Sequence, residues 1–239
     1  MKETVEAAFV GDSHGVTIIQ GGEAQGFKFR CAIRAAAPNF VNSRLFVKEN
    51  GLSEFVMPET SRVKPNLSYE DQLSERQARA KRMSIQFNQA FERGIPFYST
   101  VGTATFRFIR YVEALAHEDG VEIFSIPKKL LTIAANEHAN QYTGFYEDLL
   151  KKSPKVTVVF GPTRYNDANH DAWLIYEDVI ADRLNQIGVN VLDVRRKFGA
   201  ETLAIRNDFL KKDDDGVHAN LEWGIGVFNE IKKNFQNPI

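Results

Sequence analysis

The chain alternates short apolar runs with longer amphipathic stretches, and the two hydrophobic periods predict its elements. Runs that suit strands are Ala7 to Val10, Phe27 to Ile33, Pro96 to Val101, Val156 to Phe160 and Val189 to Val194. The last two are short and β-branched, the composition of strands buried on both faces. Between the strands, apolar residues recur at helical spacing. Leu73, Ala80, Met83, Phe87 and Phe91 form one stripe, with Ser68 as its cap ahead of Tyr69-Glu70-Asp71. Trp173, Tyr176, Ile180, Leu184 and Ile187 form another, closed by Gly188 where left-handed backbone ends a helix. A last helix buries Leu221, Ile225, Phe228, Ile231 and Phe235. Strands alternating with helices predict βαβ units, hence an α/β fold with a parallel sheet between two helical layers.

Two stretches exceed what such a sandwich needs. Asn39 to Pro65 has no clean period and contains Phe40, Phe46, Phe55 and Met57, aromatic and apolar content that argues against disorder. Together with a helix expected over Phe106 to His117, it is read as a lid or wall of a pocket, or a plain insertion, within a single domain spanning 1–239. No internal repeat, low-complexity tract or linker divides the chain.

Composition narrows the function. With 43% hydrophobic and 26% charged residues the usage is that of a globular domain. The balance of 30 Lys and Arg against 31 Asp and Glu leaves no basic footprint for nucleic acid or an anionic membrane. Cys31 is the only cysteine, which excludes an intramolecular disulfide and a cysteine zinc cluster. The first residues, Met1-Lys2-Glu3-Thr4-Val5-Glu6, lack the apolar core of a signal peptide, and no run is long enough to cross a bilayer. A cytoplasmic location is the expectation.

The chemistry lies at the two ends. Gly11-Asp12-Ser13-His14-Gly15 opens the chain and Asp215-Gly216-Val217-His218 comes near its close. A serine hydroxyl is a weak nucleophile that needs a base to take its proton and a third group to orient that base. Ser13, His218 and Asp215 can fill those roles. Gly11-x-Ser13-x-Gly15 also satisfies the nucleophile elbow of α/β-hydrolases, but only one apolar run precedes Ser13, and an acid three residues before its base does not suit that arrangement. Taken singly, the first block reads as a turn, Asp213-Asp214-Asp215 as a solvated acidic loop, and His218 as a helix cap. A metal site built from those aspartates and His218 lacks a second ligand cluster, so no metal is expected. His14, next to Ser13, is read as lining the pocket or as simple turn packing, and His117, His138 and His170, in polar surroundings, are placed at the surface.

Phe9-Val10-Gly11-Asp12-Ser13-His14 and Asp215-Gly216-Val217-His218-Ala219-Asn220, in that order and at opposite ends, make the chain resemble the SGNH (GDSL-like) hydrolases. The resemblance implies a flavodoxin-like three-layer α/β/α sandwich and ester cleavage through an acyl-enzyme, with Ser13 as nucleophile, His218 as base and Asp215 as its orienting acid. It implies no cofactor. In that family the oxyanion is met by the serine's own N–H, a glycine after the second strand and an asparagine in a Gly-x-Asn-Asp block after the third. Here Gly102 matches the block's glycine and Ala104 stands at the asparagine position, leaving Thr103, Thr105, a backbone amide or Asn166 as substitutes, while Gly22 and Gly26, the candidates for the second-strand glycine, precede that strand instead of following it. The expected substrate is a small-molecule or sugar ester. Two alternatives stay open: an acyltransferase using the same nucleophile, and an SGNH-like domain that binds a ligand without turnover.

Overall fold

Alternation of side chains along a strand sends neighbours to opposite faces, and the first strand shows this clearly. Ala8 and Val10 join one hydrophobic core while Val5, Ala7 and Phe9 join another, all of them buried. The structure, a computed structural model, describes residues 2–58, 67–118, 120–153, 155–161, 169–212 and 218–236. It runs β1 (Glu3–Gly11), α1 (Ser13–Ala24), β2 (Phe27–Arg34), β3 (Arg44–Val47), β4 (Ser53–Val56), α2 (Tyr69–Glu92), β5 (Phe97–Ser99) and α3 (Thr105–Glu118). There follow α4 (Lys128–Leu150), β6 (Val156–Phe160), α5 (His170–Gln186), β7 (Asn190–Asp193), α6 (Arg195–Phe198) and α7 (Leu221–Gln236).

The five strands read from the sequence are the five strands of one parallel sheet, ordered β2-β1-β5-β6-β7. Helices α1, α6 and α7 cover one face and α2, α3, α4 and α5 the other, giving a flavodoxin-like three-layer sandwich. Boundaries moved where polar residues hide a strand. Glu3, Thr4 and Val5 pair with Phe27, Lys28 and Phe29 ahead of the apolar run, with a register shift before Ala8. The β5 strand is shorter than its apolar run because pairing stops at Ser99, where the chain turns. Ser68 caps α2 by accepting from the Asp71 amide at 3.1 Å, and Gly188 closes the α5 turn at φ 90°.

The stretch after Asn39 holds an antiparallel hairpin, β3 against β4, rather than an irregular loop. Its four-residue strands are too short to display a period. Phe40 and Phe55 are fully buried and their rings pack against Phe145 and, from Phe55, Phe87. Side chains of the flanking helices satisfy the hairpin's outer backbone groups: Asn88 and Ser84 accept from the Ser53 and Phe55 amides at 2.8 Å each. Asp148 accepts from the Leu45 amide at 3.1 Å and from Arg44 Nε at 2.6 Å. Burial pushes the Asp148 carboxyl up, but hydrogen bonds from Arg44, Lys151 and the Leu45 amide outweigh it and hold the group down to about 2. Residues 59–65 of this stretch lie outside the described residues.

His138 corrects the expectation of a surface histidine: it is buried on α4, ringed by Phe108, Tyr111, Tyr142 and Tyr176 at centroid distances of 5.3 to 6.0 Å. Asn136, Glu137 and Asn140, which made its surroundings look polar, point elsewhere on the helix, whose buried stripe runs Leu131, Ala135, His138, Tyr142 and Leu149. Desolvation, with Arg107 nearby adding to it, pushes the imidazole down to about 4. His117 is exposed and His170 half-buried. Among the described residues no helix is long and apolar enough to cross a membrane.

Candidate active site

The sheet's carboxyl end collects the first motif. β1 ends at Gly11, and Asp12 caps α1 by accepting from the His14 amide at 3.1 Å. The Thr100 hydroxyl, from the turn after β5, donates to the same Asp12 oxygen at 3.2 Å. The turn is tight enough to demand its glycines: a Cβ on Gly11 would lie 2.3 Å from Thr100 Oγ1, and one on Gly15 would lie 2.7 Å from the Phe9 ring. Ser13 is thereby set as the first residue of α1, exposed, at a helix end whose first-turn amides lack intrahelical acceptors. Such an end favours negative charge.

The second motif arrives just before α7. The His218 carbonyl accepts from the Lys211 amide at 3.1 Å, and Ala219 bridges Leu210 in an antiparallel pair. Asn220 then caps α7, accepting from the Trp223 amide at 3.0 Å while its Nδ2 donates to the Asp208 carbonyl at 2.7 Å. These bonds fix the chain leading into the helix and so fix His218.

Glycines bring the two ends together. Where α1 crosses α7, a Cβ on Gly21 would lie 2.2 Å from the Gly224 carbonyl carbon, and one on Gly224 would lie 2.2 Å from the Thr17 carbonyl oxygen. The helices therefore touch backbone to backbone. As a result Ser13 and His218, 205 positions apart in sequence, line one groove of about 440 Å³ with Val16, Thr17, Gln20 and Lys211. The His14 ring lies buried behind them, its centroid 5.8 Å from that of His218 and its Nδ1 4.0 Å from the Asp12 carboxylate.

The other residues singled out from sequence fall differently. Asp215 and Asn166 lie outside the described residues. Gly102 and Thr103 occupy the turn after β5, where the Thr100 amide donates to the Val10 carbonyl at 3.1 Å, beside the Ser13 turn, but neither lines the groove. Gly102 has φ 85°, its face covered by the Tyr142 ring and its carbonyl bonded by the Tyr176 hydroxyl at 2.8 Å. The buried Thr103 hydroxyl donates to the Thr100 carbonyl at 2.8 Å. None of the described residues from 39 to 58 lines the groove. Among the described residues no group of three or more histidine, cysteine or acidic side chains could hold a metal ion.

Sequence reasoning missed the buried polar chain supporting the β5–α3 turn. The Thr105 hydroxyl donates to Glu177 at 3.2 Å, Arg195 Nη1 reaches Glu177 at 2.6 Å, and Arg195 Nη2 reaches Asp193 at 2.7 Å. Burial opposes the charge on Arg195, but Asp193 and Glu177 outweigh it and raise its pKa. The signal was present: Glu177 sits on the Trp173, Ile180, Leu184 stripe, where a carboxylate needs a buried partner. Comparison with protein-family models and with curated proteins found no match.

Proposed function

We propose that the chain is a serine hydrolase of the SGNH type that cleaves an oxygen ester through an acyl-enzyme. The observation that carries this reading is the convergence of Ser13 and His218, from opposite ends of the chain, on one groove beside the carboxyl end of β1. Nucleophilic acyl transfer pairs a serine with a histidine base, and an exposed Ser13 at a helix N-terminus with His218 lining the same groove supports that reading. In this reading the Ser13 hydroxyl attacks the ester carbonyl while His218 takes its proton. The Ser13 amide, at the positive end of α1, donates to the developing oxyanion. His218 then protonates the leaving alcohol, and on the return half-reaction activates the water that frees Ser13. Asp215, three residues before the base, is assigned to orient it, as the resemblance implies. The substrate is a small ester, of a sugar or another metabolite, in the cytoplasm; a bound alcohol accepting the acyl group in place of water would make the same machinery an acyltransferase.

One observation favours a second reading, a domain that binds its ligand without turnover. Ala104 stands where the family's asparagine would be, and the Thr103 hydroxyl beside it is spent on the Thr100 carbonyl. Hydrolysis of p-nitrophenyl esters of graded chain length separates the two. The hydrolase reading expects turnover that vanishes in Ser13→Ala and falls severely in His218→Ala. A folded protein that turns over none of these esters would favour the binding domain.

A further inference from the structure

The outer edge of the sheet carries a groove that the hydrolase reading does not use. Between the β2 edge and α2 lies a cavity of about 790 Å³ lined by Arg34, Arg79, Arg82, Gln86, Gln89 and Asn39. It shares no lining residue with the Ser13 groove, although the Ala35 amide at its rim donates to the Gly11 carbonyl at 3.1 Å, one strand away from the Ser13 turn.

Among the described residues three guanidinium groups and no carboxylate line this cavity, on a chain whose charges otherwise nearly cancel at 30 against 31. Arg34 meets Glu23 only at 3.8 Å, and that carboxylate is shared with Lys2. Arg79 pairs with Glu75 one helical turn away at 3.0 Å, and Arg82 has no ion pair among the described residues. The exposed Arg34 pair holds its charge weakly, so a stronger anion can recruit Arg34 together with Arg82. A second observation is independent of charge. Asn39 has no exposed surface, yet neither the nitrogen nor the oxygen of its carboxamide finds a hydrogen-bond partner among the described residues. A buried amide left unpaired is unfavourable, and this one lies in the wall of the arginine-lined cavity, where a small shift of the wall would bring it to a bound group.

We propose that this cavity is a binding site for a multiply charged oxyanion, a phosphoryl or polycarboxylate group on a small molecule. The planar fork of arginine matches two oxygens of such a group at once, which is why arginine rather than lysine serves where phosphate or carboxylate geometry is read. Gln86 and Gln89 supply neutral donors, and the volume is that of a small-molecule site. The site stands whether or not Ser13 is a nucleophile.

Isothermal titration of the intact chain with pyrophosphate and with citrate, at low and matched ionic strength against sodium chloride, tests it directly. Saturable binding of either anion is expected, with pyrophosphate the tighter for a phosphoryl site and citrate for a polycarboxylate site. Arg34→Gln and Arg82→Gln should each weaken it roughly tenfold or more. Both side chains are exposed, so the variants keep the fold. Lys128→Gln, an exposed cation that lines a different cavity, should leave binding unchanged. Saturating anion should also shift the Asn39 carboxamide resonances. Absence of saturable binding, equal affinity in the Arg34→Gln, Arg82→Gln double variant, or equal weakening by Lys128→Gln would each overturn the proposal.

Discussion

Replacing Gly224 by alanine tests whether the α1–α7 crossing is what unites the site. The new Cβ would sit 2.2 Å from the Thr17 carbonyl oxygen and 2.9 Å from its carbon, both backbone atoms that no rotamer change can move. Restoring ordinary contact of about 3.5 Å requires the helices to part by about 1 Å. In an isolated helix the change would be favourable by about 1 kcal/mol, through alanine's better propensity. Overpacking of this kind costs about 1–3 kcal/mol, and a clash with backbone belongs at the upper end, so the net effect is destabilisation by about 1–2 kcal/mol. The effect on chemistry should be larger, because a displacement of about 1 Å in catalytic geometry can cost about a hundredfold in rate. Urea unfolding gives the first quantity, and the rate at which a fluorophosphonate labels the folded variant gives the second. A Gly224→Ala protein as stable as the wild type and labelled as fast would refute the argument that backbone contact at this crossing holds Ser13 and His218 together.

Two further outcomes follow from buried polar groups. The unfolded chain protonates His138 near 6.5 but the folded one only near 4, so the stability this group contributes is complete above about 6.5 and is lost as pH falls towards 4, amounting to about 3 kcal/mol. Urea unfolding across that range should show the loss in the wild type and a shallower limb in His138→Leu; parallel limbs would contradict the buried, neutral imidazole. Glu177→Leu removes one of the two carboxylates on the buried Arg195 guanidinium, leaving Asp193 in place, and should destabilise the fold by about 2–3 kcal/mol, whereas Asp171→Asn, which breaks the exposed pair with Lys128, should change it by less than about 1 kcal/mol. Similar values for the two in thermal or urea unfolding would show that burial does not set the difference.

What was legible in the sequence depended on how local the signal was. Short β-branched runs such as Val156 to Phe160 read as buried strands by their length and composition, and all five runs entered the sheet because every one carries its own local signal. The hairpin of β3 and β4 escaped because four residues cannot display a period, and because its outer backbone groups are satisfied by Ser84, Asn88 and Asp148, far away in sequence. His138 was misjudged because its sequence neighbours lie on another face of α4; counting in steps of three and four from Leu131 places it in the core. At the site, the groove shared by Ser13 and His218 was anticipated from their two motifs. The glycines that make it possible were not singled out, since Gly21 and Gly224 acquire meaning only when their helices cross. The bonding of Thr103 and Gly102 within their own turn was equally invisible, depending on Thr100 and on Tyr176 from a helix more than seventy residues later.

The central claim is that Ser13 is an activated nucleophile served by His218, and covalent labelling by a fluorophosphonate tests it most directly, because the probe reacts with an activated serine and not with a binding site. The account predicts stoichiometric modification of the wild-type protein, mapped by mass spectrometry to Ser13, lost in Ser13→Ala and severely slowed in His218→Ala. A folded wild-type protein that resists the probe, or one whose labelling is indifferent to His218, would contradict it.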